Sequence, residues 1–258
     1  VVVEGRATAR LQTMIVGFIG SGSMAAAMAR GWKGEFEGML FSDGGSGRAE
    51  TLAGELAGEV ASNAEIAQRA DLVVVAVKPA KLDEVAPELR AANKVVSILA
   101  AVPLERLAAA FPEAEVLRVM PNVGVEVRGG VLCVAGEASA EVRAKLALLG
   151  HVVELADGDF DEATAVMGCA PAYLALAVEA LADAGAAAGL DEELARELVV
   201  ETTAGTAELL RVRHPADVRR AVASPGGSTE AGLEALDREG ARAAFEAAVE
   251  ASLERMRS

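Results

Sequence analysis

The sequence predicts an α/β domain built on a mostly parallel sheet, followed by an all-helical domain. Three observations carry this reading. Short β-branched runs alternate with Ala- and Glu-rich helical stretches through the first half of the chain. The strand-like runs stop after about Ala156, and the rest of the chain is Ala-rich and helical by composition. A glycine-rich turn joins the first strand to the first helix. Alternating β and α elements favour a parallel sheet, because a strand that returns parallel needs a crossing connection, and that crossover is right-handed.

Taken in order, residues 15–19 read as the first strand, with a helix over about 23–32 behind it. Residues 38–42 and 48–58 repeat the pair. Residues 72–77 form a continuous apolar run, as a strand covered on both faces requires. Residues 94–99, 115–119 and 130–135 continue the sheet. Asp157, Gly158 and Asp159 then break the pattern, dividing the chain into domains 14–156 and 157–258. Helices are expected over 161–189 and 192–213; residues 224–230 interrupt, and helix resumes over 233–256.

Hydrophobic residues make up 52% and charged residues 24%, which is enough for a packed core and excludes wholesale disorder. Aromatics are 3%, so the core is expected to be built from Ala, Val and Leu. Such small-residue helices often bury their apolar faces against a second copy, so a homodimer, with room for further assembly, is expected. A net charge of −15 repels phosphate backbones and argues against nucleic acid as a partner. Any anionic ligand must then be held by local devices such as backbone N–H groups. Cys133 and Cys169 form no CxxC pair, and His151 and His214 are too few for a metal cluster. No metal is expected, and a reducing cytoplasm suits the chain. Residues 1–13 lack a signal-peptide core, and Met14 is expected to be the true start. The longest uncharged stretch, 163–178, is shorter than a membrane span and reads as a buried helix, so no membrane is expected.

The glycine-rich turn carries the first functional signal. Gly20, Gly22 and Ala25 fit the G-x-G-x-x-G/A spacing of a Rossmann-type dinucleotide-binding domain. Gly20 permits the tight turn, Gly22 lets a pyrophosphate approach the backbone, and Ala25 keeps the helix close to the sheet. The helix N-terminus supplies unpaired N–H groups. Asp43, 23 residues after Gly20, sits where an acid would accept from the ribose and favour NADH. Ser42, Ser46 and Arg48 in the same loop could instead hold a 2′-phosphate, so the cofactor is NADPH or NADH.

Polar or small residues interrupt apolar surroundings at later strand exits, where open α/β sheets bind ligands. Ala76, Val77, Lys78 and Pro79 follow one strand, Ala100 and Ala101 another, and Met120, Pro121 and Asn122 end the next. Between two helices, Ser224, Pro225, Gly226, Gly227, Ser228 and Thr229 leave consecutive N–H groups and hydroxyls at a helix N-terminus. That is a seat for a carboxylate.

These motifs resemble those of the pyrroline-5-carboxylate reductase family over nearly all of residues 14–258. The opening is similar to its G-F-I-G-x-G-x-M, residues 76–79 to its A-V-K-P, residues 96–101 to its V-S-I-x-A stretch, and residues 120–122 to its M-P-N. Pro171, Ala172 and Tyr173, with Glu179, Ala180, Leu181, Ala182 and Asp183 further on, resemble its P-A-Y…E-A-L-A-D. Residues 224–229 match its S-P-G-G-T-T with Ser228 in place of one Thr. Two departures are apolar: Met167 and Cys169 where the family has Ser, and Val123 and Gly124 where it has T-P.

The resemblance implies reduction of a cyclic imine carboxylate, Δ1-pyrroline-5-carboxylate, to L-proline by hydride transfer from NADPH or NADH. It implies Gly20, Ser21, Gly22, Ser23 and Met24 at the pyrophosphate and Asn63 also on the cofactor; Ser42 and Asp43 join them by their place after the second strand, Asp43 standing where family members that prefer NADPH avoid an acid. Ala76, Val77, Lys78, Ala100 and Ala101 would line the nicotinamide side. Ser224, Gly226, Gly227, Ser228 and Thr229 would hold the substrate carboxylate, with Thr229 near the imine nitrogen, and this loop would come from the partner subunit. Two other readings compete. One is a related reductase of another cyclic imine or a β-hydroxyacid; hydroxyacid enzymes generally use a helical-domain lysine, and no lysine follows Lys145. The other is a non-catalytic dinucleotide-binding homologue.

Overall fold

The computed structural model describes residues 14–257, so the expectation about residues 1–13 lies outside the described residues. The chain divides into two compact units, the first ending at Gly168 and the second beginning at Cys169.

The first unit is organised by an eight-stranded sheet in the order β3-β2-β1-β4-β5-β6-β7-β8. The strands are β1 (Ile15–Ile19), β2 (Gly38–Ser42), β3 (Glu59–Val60), β4 (Leu72–Val75), β5 (Lys94–Ser97), β6 (Glu115–Pro121), β7 (Gly130–Ala135) and β8 (Gly150–Glu154). Every neighbouring pair is parallel except β6 with β7. Around the sheet run α1 (Ser23–Gly31), α2 (Arg48–Leu56), α3 (Asn63–Arg69), α4 (Leu82–Val85), α5 (Leu104–Ala110) and α6 (Ala140–Ala147).

The central strands are apolar throughout because both faces are covered. Successive side chains point to opposite faces. Val16, Phe18, Leu72 and Val74 therefore join one core with Met28 of α1 and Leu146 of α6. Ile19, Val73 and Val75 join the other with Ile66 of α3 and Leu107 of α5. The few aromatics are concentrated in the first core. Phe18 stacks on Phe41 at 5.3 Å, and Trp32 lies 6.1 Å from Phe18, contacts worth about 0.5–1.5 kcal/mol each beyond burial. The Trp32 indole N–H donates to the Lys145 carbonyl at 2.7 Å, so the ring stays satisfied at full burial.

The strands foreseen for the first half are present, and β3, β8 and the helices α3 to α6 are additions. β8 carries His151 and Glu154 and is only half-buried, which hides it from an apolar-run reading. α3 begins with a reciprocal cap in which Ser62 accepts from the Glu65 N–H and Glu65 accepts from the Ser62 N–H. The compositional break at Asp157 and the end of the first unit do not coincide. Arg118 holds Asp157 at 2.8 Å and lies 4.1 Å over the Phe160 ring. Phe160, in turn, packs on Cys133 and Ala135, so residues 157–168 stay on the sheet.

The second unit is helical: α8 (Ala170–Ala187), α9 (Glu192–Leu210), α10 (Pro215–Val222), α11 (Ser228–Arg238) and α12 (Ala241–Arg257), with the short α7 (Phe160–Ala163) ahead of it in the first unit. Three expectations are corrected here. The helix expected over 161–189 is not a regular α-helix throughout: a π turn over Thr164–Gly168 separates α7 from α8. The single helix expected over 233–256 is two, because Gly240 takes a φ of 78° between α11 and α12. The uncharged stretch 163–178 is not buried within the chain: Val166, Leu174 and Leu176 are exposed. Indeed the helical run Asp157–Ala187 is long and apolar enough to cross a membrane by length and composition alone, and little of it is buried. Among the described residues, Val166, Leu174, Leu176 and Leu181 of this run stay exposed.

Candidate cofactor and substrate sites

Parallel pairing lines up the carboxyl ends of four adjacent strands. Ile19 is opposite both Ser42 and Val75, and Val75 is opposite Ser97. Residues leaving these strands therefore share one edge of the sheet. Sequence order runs outward in both directions from the β1–β4 pair, so the crevice beyond their ends is the switch point where doubly wound sheets take ligands.

The turn after β1 is shaped by its two glycines in different ways. Gly20 has a φ of 96°, and a Cβ there would lie 2.8 Å from the Ala76 carbonyl oxygen. The fold itself therefore demands glycine at this position. At Gly22 a Cβ would meet nothing within 4 Å, and the φ of −76° suits any residue. Gly22 is the N-cap of α1, and no side chain caps that helix. An open surface over uncapped N–H groups is a cradle a side chain would fill, and it fits a pyrophosphate. Ser21 is turned inward, its hydroxyl donating to the Ser42 carbonyl at 3.0 Å. Ser23 and Met24 open α1.

The second rim is the exit of β2. The buried Ser42 donates its hydroxyl to Asn63 Oδ1 at 2.6 Å, tying the first residue of α3 to the strand end. Asp43 turns its carboxylate back into its own loop, accepting from Gly45, Ser46, Arg48 and Ala49. The third and fourth rims are Ala76, Val77 and Lys78 after β4, and Ala100 and Ala101 after β5. Lys78 caps a short turn over Pro79–Lys81 and is exposed, as are Ala100 and Ala101.

Every cofactor-side residue singled out in the sequence thus lies at one sheet edge. The loop of residues 224–229 belongs to the second unit. The Gly227 N–H donates to the Ser224 carbonyl at 2.9 Å across Pro225 and a Gly226 with φ of 73°, the signature of a type II turn. Gly227 is the N-cap of α11, so Ser228 and Thr229 lie in its first turn, and both are exposed. The Gly226 N–H is taken by the Glu230 carboxylate at 2.6 Å. A carboxylate therefore already sits on this loop, supplied by the chain itself.

Sequence reading passed over Glu230, although its place three residues after the helix cap is the spacing of a reciprocal cap. It also gave no role to the Asn122 side chain, which donates to the Met167 carbonyl at 3.1 Å and accepts from the Val131 N–H. The apolar replacement at 167 leaves that link intact, because it uses the backbone. Among the described residues no cluster of His, Cys, Asp or Glu could hold a metal.

A switch-point crevice rimmed by an open glycine cradle defines the first unit as the nucleotide-binding half of a dinucleotide-dependent oxidoreductase. A family model for pyrroline-5-carboxylate reductase dimerisation matches residues 157–258, and one described as NADP oxidoreductase, coenzyme F420-dependent, matches residues 15–101. The pyrroline-5-carboxylate reductase of Synechocystis sp. is 40% identical over 204 residues, 75% of this chain and 76% of that one. The solved 1-pyrroline-5-carboxylate reductase of Streptococcus pyogenes superposes with a TM-score of 0.84 at 31% identity, covering 95% of this chain and 98% of that one. The Plasmodium falciparum pyrroline carboxylate reductase, solved with NADP bound, gives 0.82 at 27% identity over the same shares. The chain belongs to the pyrroline-5-carboxylate reductase family.

Proposed function

We propose that the protein reduces Δ1-pyrroline-5-carboxylate to L-proline with NADPH or NADH, the last step of proline biosynthesis, in the cytoplasm. The observation that carries the reading is the pairing of two features in a chain of this family. One is the uncapped Gly22 cradle in the nucleotide-binding half, and the other is the 224–229 turn in the dimerisation half, where a carboxylate already rests on a loop N–H.

Gly20, Ser21, Gly22, Ser23 and Met24 hold the pyrophosphate in this scheme, with Ser42, Asp43 and Asn63 shaping the adenosine side. Ala76, Val77, Lys78, Ala100 and Ala101 line the nicotinamide side. The reduced nicotinamide, when bound, supplies the hydride. Ser224, Gly226, Gly227 and Ser228 seat the substrate carboxylate, and Thr229 orients the imine nitrogen. An imine protonated on nitrogen is already a strong electrophile: the hydride adds to carbon, the C=N pair moves to nitrogen, and the proton stays where it arrived. The protein is thus asked for alignment rather than a strong acid, and alignment alone supplies a large part of a barrier reduction. The functional division is drawn at 14–156 and 157–258, where the dimerisation model begins, although residues 157–168 pack on the sheet of the first unit.

A homodimer supplies the missing cover for the second unit. Leu174, Leu176, Leu181, Leu194 and Leu198 are exposed in the single chain, and the dimerisation model spans these helices. Glu179 and Asp183 in α8 favour a second copy over lipid, since carboxylates are costly within a bilayer. Thr229→Ala is expected to lower kcat by about 10- to 100-fold, with NADPH affinity unchanged by titration. Unchanged turnover at saturating imine would remove Thr229 from the mechanism.

A further inference from the structure

Asp43 stands where a carboxylate would accept the ribose hydroxyls of NADH and repel a 2′-phosphate. Its hydrogen bonds point elsewhere. Oδ1 accepts from the Gly45 N–H at 2.7 Å and the Ser46 N–H at 3.1 Å. Oδ2 accepts from the Ser46 hydroxyl at 2.7 Å, the Arg48 N–H at 2.8 Å and the Ala49 N–H at 3.0 Å. Both oxygens are engaged, by five donors from one loop.

The reason lies in the start of α2. Its N-cap is Gly47, with a φ of 76° and no side chain to cap the helix, so the first N–H groups of α2 need an acceptor from elsewhere. Asp43 reaches across the loop and caps them. The Ser46 hydroxyl and the loop N–H groups hold its carboxyl well below the usual carboxylate range, so it stays ionised and tied to the loop. To accept from a ribose, it would have to release these helix-capping bonds. Arg48 is in the opposite condition. It is exposed, and among the described residues its guanidinium makes no hydrogen bond or ion pair, although its own N–H is held by Asp43.

We propose that Asp43 is a positioning residue, which braces the β2–α2 loop so that the Arg48 guanidinium reads the 2′-substituent of the cofactor, and does not itself read the ribose. The enzyme accordingly favours NADPH despite carrying an acid at this position. This rests on the dinucleotide-dependent activity proposed above.

The brace is tested on the cofactor-free protein and the reading on cofactor binding. In hydrogen exchange without cofactor, Asp43→Ala exposes the amides of Gly45, Ser46, Arg48 and Ala49, and Asp43→Asn, which keeps one acceptor oxygen, restores part of the protection. Unchanged protection in Asp43→Ala overturns the brace whatever the enzyme binds. In fluorescence titrations, Arg48→Ala weakens NADPH about 10-fold, the equivalent of one charge-assisted hydrogen bond, with NADH unchanged. Asp43→Ala weakens NADPH by a similar factor, and the double variant loses little more, because the two residues act as one unit. General loosening of the fold would weaken both cofactors together and overturn the specific coupling. Asp43→Ala that weakens NADH while strengthening NADPH overturns the proposal and makes Asp43 the ribose acceptor. Wild-type protein that binds neither dinucleotide would instead count against the proposed activity, with the exchange experiment still deciding the brace.

Discussion

Gly20 and Gly22, two residues apart in one strand–turn–helix unit, are needed for different reasons. Gly20 is required by the backbone, and Gly20→Ala is expected to lose about 1–3 kcal/mol of stability, because it combines a positive φ with a contact on the Ala76 carbonyl. Gly22 has neither constraint. Gly22→Ala is expected to change stability by less than about 1 kcal/mol while weakening NADPH at least about 10-fold, since the methyl group fills the cradle. Thermal unfolding and cofactor titration on the two variants separate these effects. A Gly22→Ala protein that binds NADPH normally would show the cradle is not the pyrophosphate seat. The spacing of the two glycines was plain in the sequence, but their different duties were not. Which glycine is strained and which is open depends on Ala76, which lies far along the chain on the exit of β4. Asp43 illustrates the same limit: its position suggested a ribose ligand, and only the loop geometry reveals five internal donors.

At the scale of elements, the legible ones were those whose pattern is local. β1, β2 and β7 occupy the ranges read from the sequence, because the apolar residues at their centres are buried against both covered faces of the sheet. β8 escaped because a half-buried edge strand needs no continuous apolar run, and β3 because it is two exposed residues long. The start of α11 was hidden by the glycines that precede it. Ser228 and Thr229 open that helix, and the Glu230 carboxylate reaches back to the Gly226 N–H. In the proposed reaction the substrate carboxylate must displace this internal one. Glu230→Ala is therefore expected to lower KM for the imine carboxylate by about 2- to 5-fold at unchanged kcat, as removing a competing bound state does. A raised KM would mean that Glu230 supports the loop in its working shape.

For the whole molecule, the two-part layout was readable from where the strands stop, whereas the degree of exposure in the second unit was not. Composition alone made residues 163–178 a buried helix. The chain by itself leaves Leu174, Leu176 and Leu181 in the open, and a partner can bury what one chain cannot. Leu176→Glu with Leu181→Glu is expected to halve the sedimenting mass relative to wild type. An unchanged mass would place the interface on another face. The central claim, imine reduction with a carboxylate anchor, is tested most directly by initial-rate oxidation of NADPH and NADH with two substrates, pyrroline-5-carboxylate and a cyclic imine without the carboxylate. The account predicts fast turnover of the carboxylated imine, slow or absent turnover of the other, and a higher kcat/KM with NADPH. Absence of turnover with either imine, while the cofactor still binds, would contradict it and leave a dinucleotide-binding protein with a different task.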